Sequence, residues 1–132
     1  MKRILIDTNI YAAFKRNESV AVEVLRRVEY IGINTIVLGE ILGGFRGGNK
    51  ETENKKELNQ FLDSQRVYIL KIDEETAEFY AKIYWDLKKK GHPIPTNDMW
   101  VAASAMKHGL SLFSYDEHFN NINGLMLQNT TF

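Results

Sequence analysis

Cysteine is absent from the chain. Its absence excludes a disulfide frame, thiolate zinc sites and cysteine nucleophiles, and it fits a reducing compartment. Histidine is scarce, with three residues and no cluster of them. Long apolar runs are missing too: none approaches the roughly 20 residues that cross a bilayer, and the apolar part of Met1–Asp7 is too short for a signal peptide. A cytoplasmic protein with no membrane partner is the expectation. Nor does one sign of charge dominate, because 17 lysines and arginines face 17 aspartates and glutamates. Total charge therefore does not advertise nucleic-acid binding as a strongly basic chain would. It does not exclude such binding either, since four acids gathered at one site would leave the remaining surface basic.

What is present is alternation. A chain of 132 residues suits one domain, residues 1–132, with a continuous core. The apolar runs Ile4-Leu5-Ile6, Ile31-Gly32-Ile33-Asn34, Val67-Tyr68-Ile69-Leu70 and Leu110-Ser111-Leu112-Phe113 read as strands. Between them fall helices from Thr8 to about Arg16, Glu18 to about Tyr30, Ile36 to about Phe45 with Thr35 as its cap, Glu51 to about Asp63, and Glu74 to Lys90. A last helix runs from its cap, Thr96, to Lys107 or His108. Apolar residues at i, i+3, i+4 and i+7 support these assignments: Ala21, Val24, Leu25 and Val28 in one helix, Tyr80, Ile83, Tyr84 and Leu87 in another. Leu38, Ile41, Leu42 and Phe45 read as the inward stripe of the third helix. Leu125-Met126-Leu127 reads as a short edge strand before a loose polar tail.

Four acids stand out from this background. Asp7 ends the first apolar run abruptly, where ligands of parallel sheets gather outside the strands' carboxyl ends. A plainer reading makes it the cap of the next helix, since Asp is a favoured N-cap. Glu40 lies in an apolar helix with glycines around it and no basic neighbour, so it pairs with a distant cation or binds a metal. Asp98 falls in the first turn of its helix, where the helix dipole alone would favour a negative charge. Asp116 follows a strand as Asp7 does. Two other features carry less. The glycines of Gly43–Lys50 fit no GxxxxGK[ST] register and read as a flexible helix exit. Lys88, Lys89 and Lys90 suit the carboxyl end of a helix, and charge pattern alone does not separate that role from an RNA contact.

Parallel strands joined by helices point their carboxyl ends one way, so Asp7 and Asp116 can meet there while Glu40 and Asp98 approach on helices. Crowded carboxylates repel and raise one another's pKa unless cations neutralise them. Oxygen donors without cysteine or clustered histidine select a hard ion, Mg²⁺ or Mn²⁺. The chemistry suited to such a site is phosphodiester hydrolysis, with one ion activating water and a second, about 3.5–4 Å away in two-metal sites, stabilising the leaving oxygen.

Ile4-Leu5-Ile6-Asp7-Thr8-Asn9, Glu40, Pro95-Thr96-Asn97-Asp98-Met99-Trp100-Val101-Ala102-Ala103 and Leu112-Phe113-Ser114-Tyr115-Asp116-Glu117-His118-Phe119 before Ile122-Asn123-Gly124-Leu125 are distinctive in their order and spacing. In these stretches the chain resembles the PIN-domain ribonucleases, and among them the VapC-type toxins of bacterial and archaeal toxin–antitoxin pairs. The resemblance implies a three-layer α/β/α sandwich over a central parallel sheet. It implies Asp7, Glu40, Asp98 and Asp116 as catalytic, metal-binding acids, with Thr8, Asn9 and Ser114 as polar supports. It further implies Mg²⁺- or Mn²⁺-dependent cleavage of single-stranded or loop RNA that leaves a 3′-hydroxyl, a homodimer, and silencing by a cognate antitoxin. Tyr115 departs from the family, which often carries a basic residue there. Competing readings are an RNA-processing nuclease without an antitoxin, a non-catalytic RNA- or protein-binding module of the same fold, and a haloacid-type phosphatase. The last wants a second aspartate at position 9, where this chain has Asn9.

Overall fold

A computed structural model describes residues 2–128. The elements run β1 (Arg3–Ile6), α1 (Thr8–Lys15), α2 (Ser19–Arg27), β2 (Tyr30–Asn34), α3 (Thr35–Arg46), α4 (Glu51–Leu62), β3 (Val67–Leu70), α5 (Glu74–Lys90), α6 (Thr96–His108) and β4 (Ser111–Phe113), followed by a 3-10 turn at Glu117–Asn121. Ile4, Leu5 and Ile6 are fully buried, as a strand covered on both faces requires, and β1 lies inside a four-stranded sheet of order β3-β2-β1-β4. All three strand pairings are parallel. The outermost strand, β3, exposes Tyr68 and Ile69.

The order explains the layers. From β1 to β2 to β3 the chain steps outward in one direction; from β3 to β4 it jumps back across two strands. Right-handed crossovers then put α1–α4 on one face and α5 and α6 on the other. Packing agrees, since α1 meets α2 and α3, α3 meets α4, and α5 meets α6. Helix α6 is the innermost, with Val101, Ala102, Ala103, Ser104 and Ala105 all buried. Its small side chains let it lie close between the sheet and α5, where Tyr80 stacks on Trp100 at 4.2 Å. Gly91 and Gly109 end α5 and α6 in the left-handed conformation that favours glycine.

Five local expectations change. Helix α2 stops at Arg27 and Tyr30 already belongs to β2, because the Arg66 guanidinium takes up the carbonyls of Leu25 and Val28 at 2.8 and 2.6 Å. The cap of α3 is Asn34, whose Oδ1 accepts from the Val37 N–H, and α6 starts after Pro95 with no side-chain cap. On α3 the buried residues are Val37 and Ile41; Leu38 and Phe45 are only half-buried and Leu42 is exposed. Leu127 makes a single parallel bridge to Leu112 in place of the expected edge strand, alongside a β4 of only three residues. The polar tail after Gln128 lies outside the described residues.

Asn34 joins the two faces. Fully buried at the end of β2, it caps α3 and donates through Nδ2 to Ser104 Oγ on α6 at 3.1 Å. Asn34→Ala removes a cap and strands a buried hydroxyl, so it should cost about 2–3 kcal/mol in denaturant unfolding. Ser104→Ala, which spares the cap, should cost clearly less in the same measurement.

Candidate functional site

The pairing of β1 with β4 sets the site. Ile6 lies opposite Phe113, so the next residues, Asp7 and Ser114, leave the sheet side by side. Asp7 is buried and caps α1, its Oδ1 accepting from the Ile10 N–H at 3.0 Å. Its other oxygen, Oδ2, accepts from Ser114 Oγ at 2.5 Å. Ser114 Oγ in turn accepts from the Asp116 N–H at 3.0 Å, which fixes the loop that carries the next acid. The capping reading of Asp7 is therefore true of one oxygen, and the second oxygen faces the chain's other strand end.

Asp116 starts the 3-10 turn, accepting from the His118 N–H. The His118 ring stands between two acids, with Nε2 2.6 Å from Asp98 Oδ2 and Nδ1 2.9 Å from Asp116 Oδ1. Glu40 completes the group from α3. Its Oε1 accepts from Thr8 Oγ1 at 2.7 Å and its Oε2 from Asn97 Nδ2 at 3.3 Å. Glu40 is exposed, which corrects the expectation of an unsolvated carboxylate, and both its partners are neutral.

Electrostatically the group is unfavourable to itself. Burial pushes the Asp7 carboxyl up, against the two hydrogen bonds from Ser114 and Ile10, and the charges of Asp98 and Asp116 push the same way as burial. Asp98 is also pushed up, first by burial and then by Asp116 and Glu40, with the His118 contact opposing. Asp98, Asp116 and His118 each offer a ligand atom, and these atoms lie within 4.8 Å of one another. The donor set of two carboxylates and an imidazole fits a divalent cation. Asp7 and Glu40 stand outside that tight trio and are linked to it through Ser114 and through Asn97, the residue before Asp98. A cleft of about 430 Å³ opens beside the group, from Thr8 and Glu40 along α1 to Lys15 and Arg16, with Ile41 and Phe45 of α3 on its wall.

Of the polar supports expected, Thr8 and Ser114 hold acids directly. Asn9 is exposed, and its side chain makes no hydrogen bond among the described residues. His118 and Asn97 were not singled out in the sequence. The signal for each was adjacency: Asn97 precedes one acid, and His118 follows another at the spacing that turns both side chains to one side of a tight loop.

Fold and site define a doubly wound α/β protein with carboxylates gathered at the carboxyl ends of two neighbouring strands. The family model described as PIN domain matches residues 4–125. Ribonuclease VapC2 of Rickettsia felis is 30% identical over 130 residues, 95% of this chain and 96% of its own length. Ribonuclease VapC4 of Mycobacterium tuberculosis is 28% identical over 90% of each chain. Among solved structures, VapBC2 from Rickettsia felis bound to a DNA fragment from its promoter superposes with a TM-score of 0.86 at 26% identity, covering 96% of this chain and 97% of that one. The chain belongs to the PIN-domain family, among its VapC-type ribonucleases.

The raised carboxyl of Asp7 has a stability consequence. A folded-state pKa above the unfolded one means that the ionised acid destabilises the fold at neutral pH and that protonation relieves it. Asp7→Asn keeps an acceptor for Ile10 and removes the charge. In EDTA near pH 8 it should raise Tm by roughly 2–5 °C, with the gain fading as pH falls through the Asp7 pKa. Thermal melts across pH check both parts.

Proposed function

We propose that the chain hydrolyses phosphodiester bonds of single-stranded or loop RNA at a divalent-cation site of Asp7, Glu40, Asp98 and Asp116, acting in the cytoplasm as the toxin of a toxin–antitoxin pair. The observation that carries this reading is the convergence of four carboxylates, two of them held above their ordinary pKa by burial and by neighbouring acids, at the edge of an open cleft. A site so unfavourable to its own charges is one that gains from a cation. Oxygen donors in the majority favour Mg²⁺ or Mn²⁺. Asp98 and Asp116 would hold the ion, with Asp7 and Glu40 beside them, and the ion supplies Lewis-acid activation of water and of the phosphate.

The chain's own residues divide the remaining work. Asp7 is fixed by Ser114 and Ile10 and so contributes a rigid charge. Glu40 is exposed and is steered by Thr8 and Asn97, which suits it to orient a water or take its proton. The exposed side of α3 supports the antitoxin reading. Leu42 is exposed, and Gly39, Gly43 and Gly44 have open space where side chains would stand, so a partner segment can lie close to the helix beside Glu40. Exposed Tyr84 and Trp85 on α5 offer a surface for the expected homodimer. The 132-residue chain would act as one PIN domain.

Incubation of the purified protein with end-labelled RNA and Mg²⁺ or Mn²⁺ should give cleavage that EDTA abolishes. Asp98→Asn and Asp116→Asn should each lower the rate by more than about 100-fold with the fold intact by circular dichroism, beyond the loss typical of residues behind the ligands. Binding without cleavage, unchanged by Asp7→Asn, would point to a non-catalytic module, and stable phosphorylation of Asp7 to the phosphatase. Induced expression should slow bacterial growth and Asp98→Asn should not; cleavage without toxicity would favour an RNA-processing role.

A further inference from the structure

We propose that Tyr115 is a base-stacking, specificity-determining residue, which receives the face of an unpaired nucleobase beside the phosphate addressed by the acids while Arg16 holds a neighbouring phosphate. The inference deepens the RNA-cleavage reading and rests on it. Tyr115 lies between Ser114, which is bonded to Asp7, and Asp116. Its ring is 41% exposed, and of the exposed large apolar side chains it is the one set within the acid-bearing loop. Yet the ring is held. It meets Phe113 edge-on at 5.7 Å, and its hydroxyl donates to Glu18 Oε2 at 2.7 Å. Glu18 is itself fixed, because its other oxygen accepts from the Val20 N–H at 3.1 Å and caps α2.

A solvent-exposed aromatic fixed at both ends has already lost the rotamer freedom that binding would otherwise cost. Every base has a π-face, so such a platform suits single-stranded RNA. Charge decides which part of the nucleotide meets it. Glu18 holds the ring's hydroxyl and Asp7 also acts on it electrostatically, and both repel a phosphate. Arg16, at the end of the cleft, is exposed and has neither a hydrogen bond nor an ion pair for its side chain among the described residues, whereas neighbouring Lys15 is paired with Glu57 at 2.9 Å. Burial and the Glu18 contact both push the Tyr115 phenol up from its ordinary value. A basic residue at this position would grip the backbone; a tyrosine selects for a base free to unstack.

The test compares Tyr115→Leu with Tyr115→Phe on an RNA oligonucleotide that the protein cuts, and on the same oligonucleotide with an abasic nucleotide placed in turn at each position flanking the cut. Tyr115→Leu should raise KM roughly 5–100-fold with kcat changed less than about threefold, and Tyr115→Phe should restore most of the affinity. One abasic position should cost the wild type a similar factor and cost Tyr115→Leu almost nothing. Equal losses in the Leu and Phe variants would make Tyr115 only a brace to Glu18 and overturn the proposal, as would an abasic penalty that Tyr115→Leu retains. A wild-type protein that neither cleaves nor binds RNA would defeat the parent reading and this one together. Cleavage with unchanged KM in Tyr115→Leu would defeat this one alone.

Discussion

The hydrogen bond from Ser114 to Asp7 is the contact on which the rest of the site depends. It continues the β1–β4 pairing one residue beyond the sheet and turns two strand ends into one rigid corner. From that corner the loop to Asp116 is set by the same hydroxyl, and Asp116 with His118 reaches Asp98 on the opposite layer. Thr8, the first residue of α1, carries the order outward to Glu40. A single oxygen of one serine thus relates groups from both halves of the sequence. Serine suits this task because one hydroxyl can donate and accept at once, at a position where a charged residue would have added to the crowding.

Much of this was legible in the residues, and the reason is periodicity and register. A run of Ile-Leu-Ile too short for a helix, followed by polar residues, has few places to go except the interior of a parallel sheet. Its carboxyl end then has to face the ligand side. Position on a strand therefore placed Asp7 and Asp116 without any knowledge of contacts. The same logic is weaker on helices. The stripe read on α3, Leu38, Ile41, Leu42 and Phe45, contains buried Ile41 but takes in exposed Leu42 and leaves out buried Val37, because nearly every position of that helix is apolar and pattern alone cannot orient it. Glu40, off that stripe but read as no ordinary solvated residue because its helix is so apolar, is exposed in the structure.

Caps and histidines were harder still. Asn34 and Thr35 are both good caps, and the choice fell to Asn34 because its amide also reaches Ser104, a residue 70 positions away. No local rule contains that bond. His118 belongs to the same class: its role exists only because α6 brings Asp98 opposite the turn that follows β4. Sequence reasoning finds groups whose position along an element determines their direction, and it misses groups whose meaning comes from a partner on another element.

The return of the chain from β3 across two strands to β4 also sets a timetable. Asp7 and its serine partner lie 107 residues apart, so the corner cannot close until β4 has come to lie beside β1. Until then β1 has an unpaired edge, and Glu40 lacks Asn97 and Asp98 of α6 beside it. Long-range pairing of this kind is slow to form. For a ribonuclease the consequence is that the assembled acids belong to the folded chain and to no single stretch of it.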